Sequence, residues 1–227
     1  MIGEASTRKA AFFRLEGTLS PRPTLTAAAW LAANAQAVGE RLARLTNVAL
    51  AAPFVLRGDR TRGGRVAWMG LCGISEDRLI VLGEEYAERW IIPSLAKVGL
   101  ELLETARTRG HRIVLISDNL EAIARPVAEY LEIADLVCNR IEIRSGKVTG
   151  RLMDPVIGGS VALQWARRFA SEESIDLSTS LAYGAHGDDT LLLSGIGRPC
   201  AVSPDRTLRR TAREMEWPVV EGRGGRA

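Results

Sequence analysis

The chain has 227 residues, 46% of them apolar, which is enough for one sizeable core and a small second module. Its net charge of only +3 and the lack of a nucleic-acid-binding motif exclude nucleic acid as the expected partner. The longest apolar segment, residues 48–56, is too short to cross a bilayer, and no secretory leader precedes the first predicted strand. Three scattered cysteines predict neither a zinc site nor a disulfide framework, so we expect a cytoplasmic protein.

The first predicted element is a buried strand at residues 10–15, which a Gly-Thr pair ends. Arg14 and Glu16 are the charged side chains at its end. The guanidinium of Arg14 stays protonated at any working pH and has no free lone pair, so it cannot act as a nucleophile.

The segment from residue 20 to residue 92 is predicted to be helical. The predicted helices are 27–38 with Thr24 as a candidate N-cap, 40–50, and 76–90 with Ser75 as N-cap. A loop rich in glycine and arginine is predicted at residues 57–65, directly after the apolar segment 48–56.

This predicted loop carries a cluster of arginines. An apolar helix beside arginines can dock on an anionic membrane or a lipid-like ligand. Arginine and tryptophan are also enriched at protein interfaces. A solvated loop beside a helix that packs on the core is the third interpretation. We predict a partner-binding surface made of four residues, Arg57, Arg60, Arg62 and Arg65.

After residue 93 the sequence alternates between strand and helix patterns, which predicts a parallel sheet covered by helices. The predicted elements, in chain order, are 95–109, 111–117, 120–131, 136–138, 162–171, 180–183, 190–193 and 200–202. In such sheets, ligands bind at the carboxyl ends of the strands. Arg14, Ser117 and Ala185 would meet at this edge.

Four segments match a known pattern in order and spacing. Residues 12–19 (Phe-Phe-Arg-Leu-Glu-Gly-Thr-Leu) match Phe-Phe-Asp-x-Asp-Gly-Thr-Leu, and residues 111–117 form a strand that ends in a hydroxyl. Residues 146–152 match G-x-x-T-G-R-L, and residues 182–189 (Ala-Tyr-Gly-Ala-His-Gly-Asp-Asp) match A-Y-G-D-S-x-x-D. Together they resemble the haloacid dehalogenase-like superfamily, in its phosphoserine phosphatase-like branch.

The resemblance implies a damaged catalytic site. In that family one Asp attacks phosphorus, a second acts as general acid/base, a Ser/Thr and a Lys hold the phosphoryl group, and a further Asp binds magnesium. The corresponding positions here are, in that order, Arg14, Glu16, Ser117, Ala162 and Ala185, and Asp189 keeps the second acid of the last motif. With the nucleophile, a metal ligand and the lysine absent, we expect no catalytic residue, no metal and no other cofactor. Arg14 is expected to occupy the cation position and pair with Asp189, Asp188 or Glu16; the alternative is a guanidinium that reaches solvent.

The resemblance also implies the fold. We expect an α/β protein with a Rossmann-like parallel sheet, helices on both faces and an inserted helical cap. The core would comprise residues 1–19 and 93–221 and the cap residues 20–92, with a disordered tail at 222–227.

We predict a pseudophosphatase, a catalytically inactive phosphatase-like protein that binds a protein partner, a second copy of itself, or a phosphorylated or lipid-like ligand. Ser117, Arg14 and His186 are the candidate ligand-binding residues, although Ser117 could merely cap a helix and His186 could lie in a surface loop. One rival is a weak phosphomonoester hydrolase that uses Glu16, His186 and Asp188. The other is a membrane-peripheral lipid-binding module that uses the cap.

Overall fold

The computed structural model describes residues 8–34 and 38–222. The strands are β1 (Ala10–Arg14), β2 (Arg112–Leu120), β3 (Asp135–Asn139), β4 (Ile141–Arg144), β5 (Lys147–Leu152), β6 (Leu181–Gly184), β7 (Arg198–Val202) and β8 (Val219–Val220). The α-helices are α1 (Thr24–Ala33), α2 (Val38–Leu56), α3 (Arg60–Met69), α4 (Glu76–Tyr86), α5 (Lys97–Thr108), α6 (Glu121–Tyr130), α7 (Gly159–Glu172), α8 (Thr190–Ser194) and α9 (Arg206–Glu214), and a π-helical segment, Ala87–Ile91, directly follows α4.

Six parallel strands form the main sheet in the order β3-β2-β1-β6-β7-β8. Central β1 lies between β2 and β6, with Arg14 beside Ile116 and Phe13 beside Tyr183. The carboxyl ends of β1, β2 and β6 therefore meet at one edge of the sheet. This confirms the predicted α/β fold with a Rossmann-like parallel sheet.

Helices cover both faces of this sheet, as predicted. Because successive side chains of a strand point to opposite faces, Phe12 and Phe13 enter different cores. Phe12 belongs to the apolar cluster that includes residues of α7, α8 and α9. Phe13 belongs to the cluster that includes residues of α5, α6 and the helices between β1 and β2.

Five α-helices, α1 to α5, lie between β1 and β2, and the first four of them lie in the segment 20–92 that the sequence predicts to be helical. Thr24 is the first residue of α1 and not its cap, and the helix ends at Ala33 rather than at residue 38. Ser75 caps α4 as predicted, since its side chain accepts a hydrogen bond from the backbone of Arg78 at 3.3 Å. The division into a core and a cap at residues 19–20 and 92–93 stays a prediction.

The prediction of a loop at residues 57–65 is wrong for most of that segment, because α3 begins at Arg60. The Asp59 side chain caps this helix by accepting a hydrogen bond from the backbone of Arg62 at 3.0 Å. One of the glycines that predicted a loop, Gly63, instead lets α3 approach α2. A Cβ on Gly63 would lie 2.5 Å from Cγ2 of Val55.

Across the described ranges, every helix is too short or too polar to span a bilayer. Residues 223–227 of the predicted tail lie outside the described part of the chain.

Candidate functional site

The candidate site lies where β1, β2 and β6 end. The backbone of Leu15 donates a hydrogen bond to Ile116 at 2.8 Å, which holds the chain after β1 beside β2. Gly17 has a φ of +82°, and a Cβ there would lie 2.6 Å from Cβ of Ala185. Glycine is therefore needed for the close approach between the loops that follow β1 and β6.

Arg14 is buried at the centre of this site, with 3% of its surface exposed. Its Nε lies 2.8 Å from Oδ1 of Asp189, and its Nη2 lies 2.6 Å from Oδ1 of Asp118 and 3.9 Å from Oε2 of Glu16. Burial alone would lower the pKa of Arg14, but the three carboxylates outweigh it and raise the pKa above its ordinary value. The structure thus contains the predicted pair between Arg14 and Asp189. The alternative, a guanidinium that reaches solvent, is wrong.

Asp118 is a site residue that the sequence reasoning missed. Its second carboxylate oxygen lies 3.5 Å from the guanidinium of Arg60, so it bridges two arginines. Burial would raise the pKa of Asp118, but the charges of Arg14 and Arg60 hold it below its ordinary value. Its position directly after Ser117 was the available signal.

Glu16 is enclosed by donors and is 1% exposed. It accepts hydrogen bonds from the Ser117 hydroxyl at 2.6 Å, the Asn119 side chain at 2.8 Å and the Asp118 backbone at 3.1 Å. Burial, followed by the Asp118 charge, raises the pKa of Glu16. The Ser117 hydroxyl also accepts a bond from the Asn119 backbone at 3.0 Å, so protein groups already occupy it.

The loop after β6 carries the other predicted residues. Oδ2 of Asp189 accepts bonds from the backbones of Ala185 and His186, both at 2.9 Å. Asp188 does not pair with Arg14; it accepts a 3.3 Å bond from the Arg60 backbone, and burial raises its pKa. Nδ1 of His186 lies 3.6 Å from the Asp205 carboxylate. Burial, and then the charge of Arg60, lowers the His186 pKa, which favours the neutral imidazole near neutral pH.

A cavity of about 440 Å³ opens between helices α1–α3 and this edge of the sheet. One side is apolar, with Leu25, Val55, Val156 and Ile157 among its residues. The charged or titratable residues that line it are Arg57, Arg60, Asp118, His186, Asp188 and Asp205. Of the three predicted ligand-binding residues, only His186 lines the cavity, since Arg14 and Ser117 are buried behind it.

The four predicted partner-binding arginines do not form one loop. Arg60 lies at the first position of α3 and reaches into the site, where its side chain is 15% exposed. Arg62 is 74% exposed and lies 3.3 Å from the Asp59 carboxylate. Arg65 is 51% exposed, and Arg57 lines the cavity mouth. The physical reason is that Arg60, Arg62 and Arg65 lie on one helix, whose repeat turns their side chains in different directions, while Arg57 precedes that helix.

Ala162 does not line the cavity. It lies in the first turns of α7, 3% exposed, in the apolar cluster that also contains Phe12. The part of α7 that approaches the cavity is its N-cap, Gly158. A Cβ on Gly158 would lie 2.5 Å from Oγ1 of Thr61 and 3.8 Å from Oδ1 of Asp118.

The residues present do not fit a magnesium ion like the one that the resembled family binds. Magnesium is held through oxygen ligands, mainly carboxylates. Here the Arg14 guanidinium contacts both Asp118 and Asp189, and Ala185 offers no side-chain oxygen. In residues 8–34 and 38–222, no group of three or more His, Cys, Asp or Glu side chains is arranged to hold a metal ion.

Known proteins share both the sequence pattern and the fold. The chain is 32% identical over 132 residues to an "inhibition of morphological differentiation protein" of Streptomyces azureus, covering 58% of this chain and 47% of that one. It is 29% identical over 165 residues to a phosphoserine phosphatase of Mycobacterium tuberculosis, covering 73% and 54%. The chain therefore spans about half the length of these relatives.

Solved structures show the same architecture. A protein of unknown function from Bordetella pertussis Tohama I superposes with a TM-score of 0.81 at 23% identity, covering 95% of this chain and 99% of that one. A phospho-aspartyl intermediate analogue of phosphoserine phosphatase gives a TM-score of 0.71 at 16% identity, covering 96% and 95%. A model of the haloacid dehalogenase-like hydrolases matches residues 11–194. On this match over most of its length, the chain belongs to the haloacid dehalogenase-like hydrolase family.

Proposed function

We propose that this protein is a catalytically inactive phosphatase-like protein that acts by binding. The observation that carries the proposal is the buried Arg14 guanidinium, which contacts Asp118 and Asp189 at 2.6 and 2.8 Å. A guanidinium cannot attack phosphorus, because it has no available lone pair. It also repels a divalent cation, by about 8 kcal/mol at ~4 Å with an effective dielectric of ~20.

The position of the general acid/base supports the same conclusion. Glu16 accepts three hydrogen bonds from protein groups and does not line the cavity. A general acid or base must come within hydrogen-bonding reach of the proton that it transfers. Glu16 meets a substrate in the cavity only if the Asp118 segment moves aside.

The cavity supports a binding role. Its volume suits a small molecule, and its apolar side would take an apolar body. Arg57 and Arg60 are the cationic side chains that line it, and Arg60 is only loosely shared with Asp118 at 3.5 Å. A ligand with an apolar part and one anionic group therefore fits this lining. Binding of a protein partner stays a prediction.

The test is hydrolysis of a panel of phosphomonoesters, including phosphoserine, with magnesium present. We expect the wild-type protein to show no rate above the protein-free background. The double variant Arg14→Asp, Ala185→Asp is the matched comparison, because it returns both carboxylates to the same scaffold. Activity in the double variant alone would tie the inactivity to these two positions.

The rival hydrolase has one observation in its favour, since His186 and Asp188 both line the cavity. A wild-type rate of hydrolysis that disappears in His186→Ala or Glu16→Gln would overturn the proposal that the protein is inactive. A wild-type rate that survives these changes would point to a contaminating phosphatase. The Arg14→Ala protein, purified in the same way, would then show the same rate.

A further inference from the structure

Helix α2 carries an apolar face that no other element covers in the part of the chain that the structure describes. Leu56 is 87% exposed, Leu42 73%, Leu50 58% and Leu45 36%. The opposite face of the helix is buried, with Val48 and Ala51 in the main apolar cluster. From residue 45 to residue 56 the chain has no charged side chain. Water normally contacts a helix face through polar residues, so this face is typical of a docking surface.

The hairpin of α2 and α3 is also strongly basic. Residues 38–69 contain six arginines against two acidic residues, Glu40 and Asp59. This balance of +4 exceeds the +3 of the whole chain, so the remaining residues are slightly acidic. Arg57 directly follows the exposed Leu56, and Arg62 and Arg65 project from α3 with 74% and 51% of their side chains exposed.

Charge decides between two occupants of this face. A second copy docked here would bring two hairpins of the same positive sign together, which is electrostatically unfavourable. An anionic lipid surface would instead neutralise the arginines while its acyl region receives the leucines. An apolar face with flanking arginines is the pattern of helices that lie in the plane of a membrane interface.

We propose that the α2–α3 hairpin docks on anionic membrane surfaces, with Leu50 and Leu56 in the acyl boundary and Arg57, Arg62 and Arg65 among the headgroups. This role does not depend on what the cavity binds or on whether the site is inactive.

The test is co-sedimentation with vesicles of phosphatidylcholine alone and of phosphatidylcholine with phosphatidylglycerol. We expect the wild-type protein to sediment with the anionic vesicles, and less at high salt, because salt screens the arginines. The double variant Leu50→Gln, Leu56→Gln should bind at least ~10-fold more weakly, because the acyl region no longer receives two apolar side chains.

A matched control is the double variant Val81→Gln, Leu191→Gln. These residues are 50% and 49% exposed, but they lie on α4 and α8, away from the hairpin. We expect the control to bind the anionic vesicles like the wild-type protein. Hydrogen exchange of the wild-type protein gives a readout that needs no variant, since the amides of α2 should become protected on anionic vesicles.

Three outcomes would overturn the proposal. The first is a wild-type protein that does not bind anionic vesicles. The second is equal binding by the Leu50→Gln, Leu56→Gln protein. The third is a concentration-dependent dimer in solution that the same two substitutions abolish, together with no vesicle binding, which would assign this face to a second copy.

Discussion

At the scale of single residues, Arg14 supplies a positive charge from inside the protein to a cluster of carboxylates. Three acids surround it, and Asp118 and Asp189 contact it at hydrogen-bonding distance. Each of these acids is itself held by other groups, Asp189 by two backbone amides and Asp118 by Arg60. Arg14 and Arg60 therefore offset the charges of two carboxylates without any added ion.

Removing this charge should cost stability. Breaking a buried ion pair costs ~3–5 kcal/mol, against ~0–1 kcal/mol for an exposed one. We expect Arg14→Ala to lower the free energy of unfolding by about 3–5 kcal/mol, measured by urea denaturation. Arg14→Lys should recover only part, because an ammonium lacks the planar fork that reaches both carboxylates. The control is Arg62→Ala, whose side chain is 74% exposed and should change stability by less than ~1 kcal/mol. Wild-type stability in Arg14→Ala would show that the pairs do not hold the site together.

At the scale of secondary structure, the sequence predicts the strands better than the helices of the inserted segment. Short apolar runs locate β1, β2 and β6 closely. Helix α3 is missed because glycine and arginine are typical of loops, whereas Gly63 is present so that two helices can touch. Intrinsic propensity is a local signal, and packing against α2 overrides it.

The two neighbouring glycines of α3 provide a matched test of this explanation. A Cβ on Gly63 would lie 2.5 Å from Val55, whereas a Cβ on Gly64 would meet nothing closer than Nε1 of Trp68 at 3.9 Å. We expect Gly64→Ala to raise the free energy of unfolding by ~0.5–1 kcal/mol through helix propensity. Gly63→Ala should instead lower it by ~1–3 kcal/mol through overpacking. Thermal and urea unfolding of the two variants would measure the difference. Equal effects would mean that α2 and α3 are not closely packed.

At the scale of the whole molecule, the sequence predicts the fold class and the meeting of Arg14 with the loop of Asp189. The contribution of Asp118 was signalled only by its position directly after Ser117, and its contact with Arg14 arises because β1 and β2 end side by side.

Arg60 connects the inserted helices to the sheet. Its backbone donates a 3.3 Å bond to Asp188, and its guanidinium lies 3.5 Å from Asp118, so one residue of α3 contacts two loops at the carboxyl edge. Asp59, directly before it, caps α3, which fixes where the helix begins. Arg60 therefore connects helix α3, on one side of the cavity, to the carboxyl edge of the sheet on the other side.

Loss of the Arg60 side chain should loosen the helices without unfolding the sheet. Local opening is governed by the contacts of the segment that opens, so we expect Arg60→Ala to speed hydrogen exchange in α2 and α3. The amides of β1 and β2 should exchange at wild-type rates, because their pairing does not involve Arg60. Arg65→Ala is the matched control on the same helix, since its partner Asp154 is 86% exposed and the pair contributes little. Faster exchange throughout the molecule would show that the helices and the sheet open together, and unchanged exchange in α3 would show that other contacts hold the cavity closed.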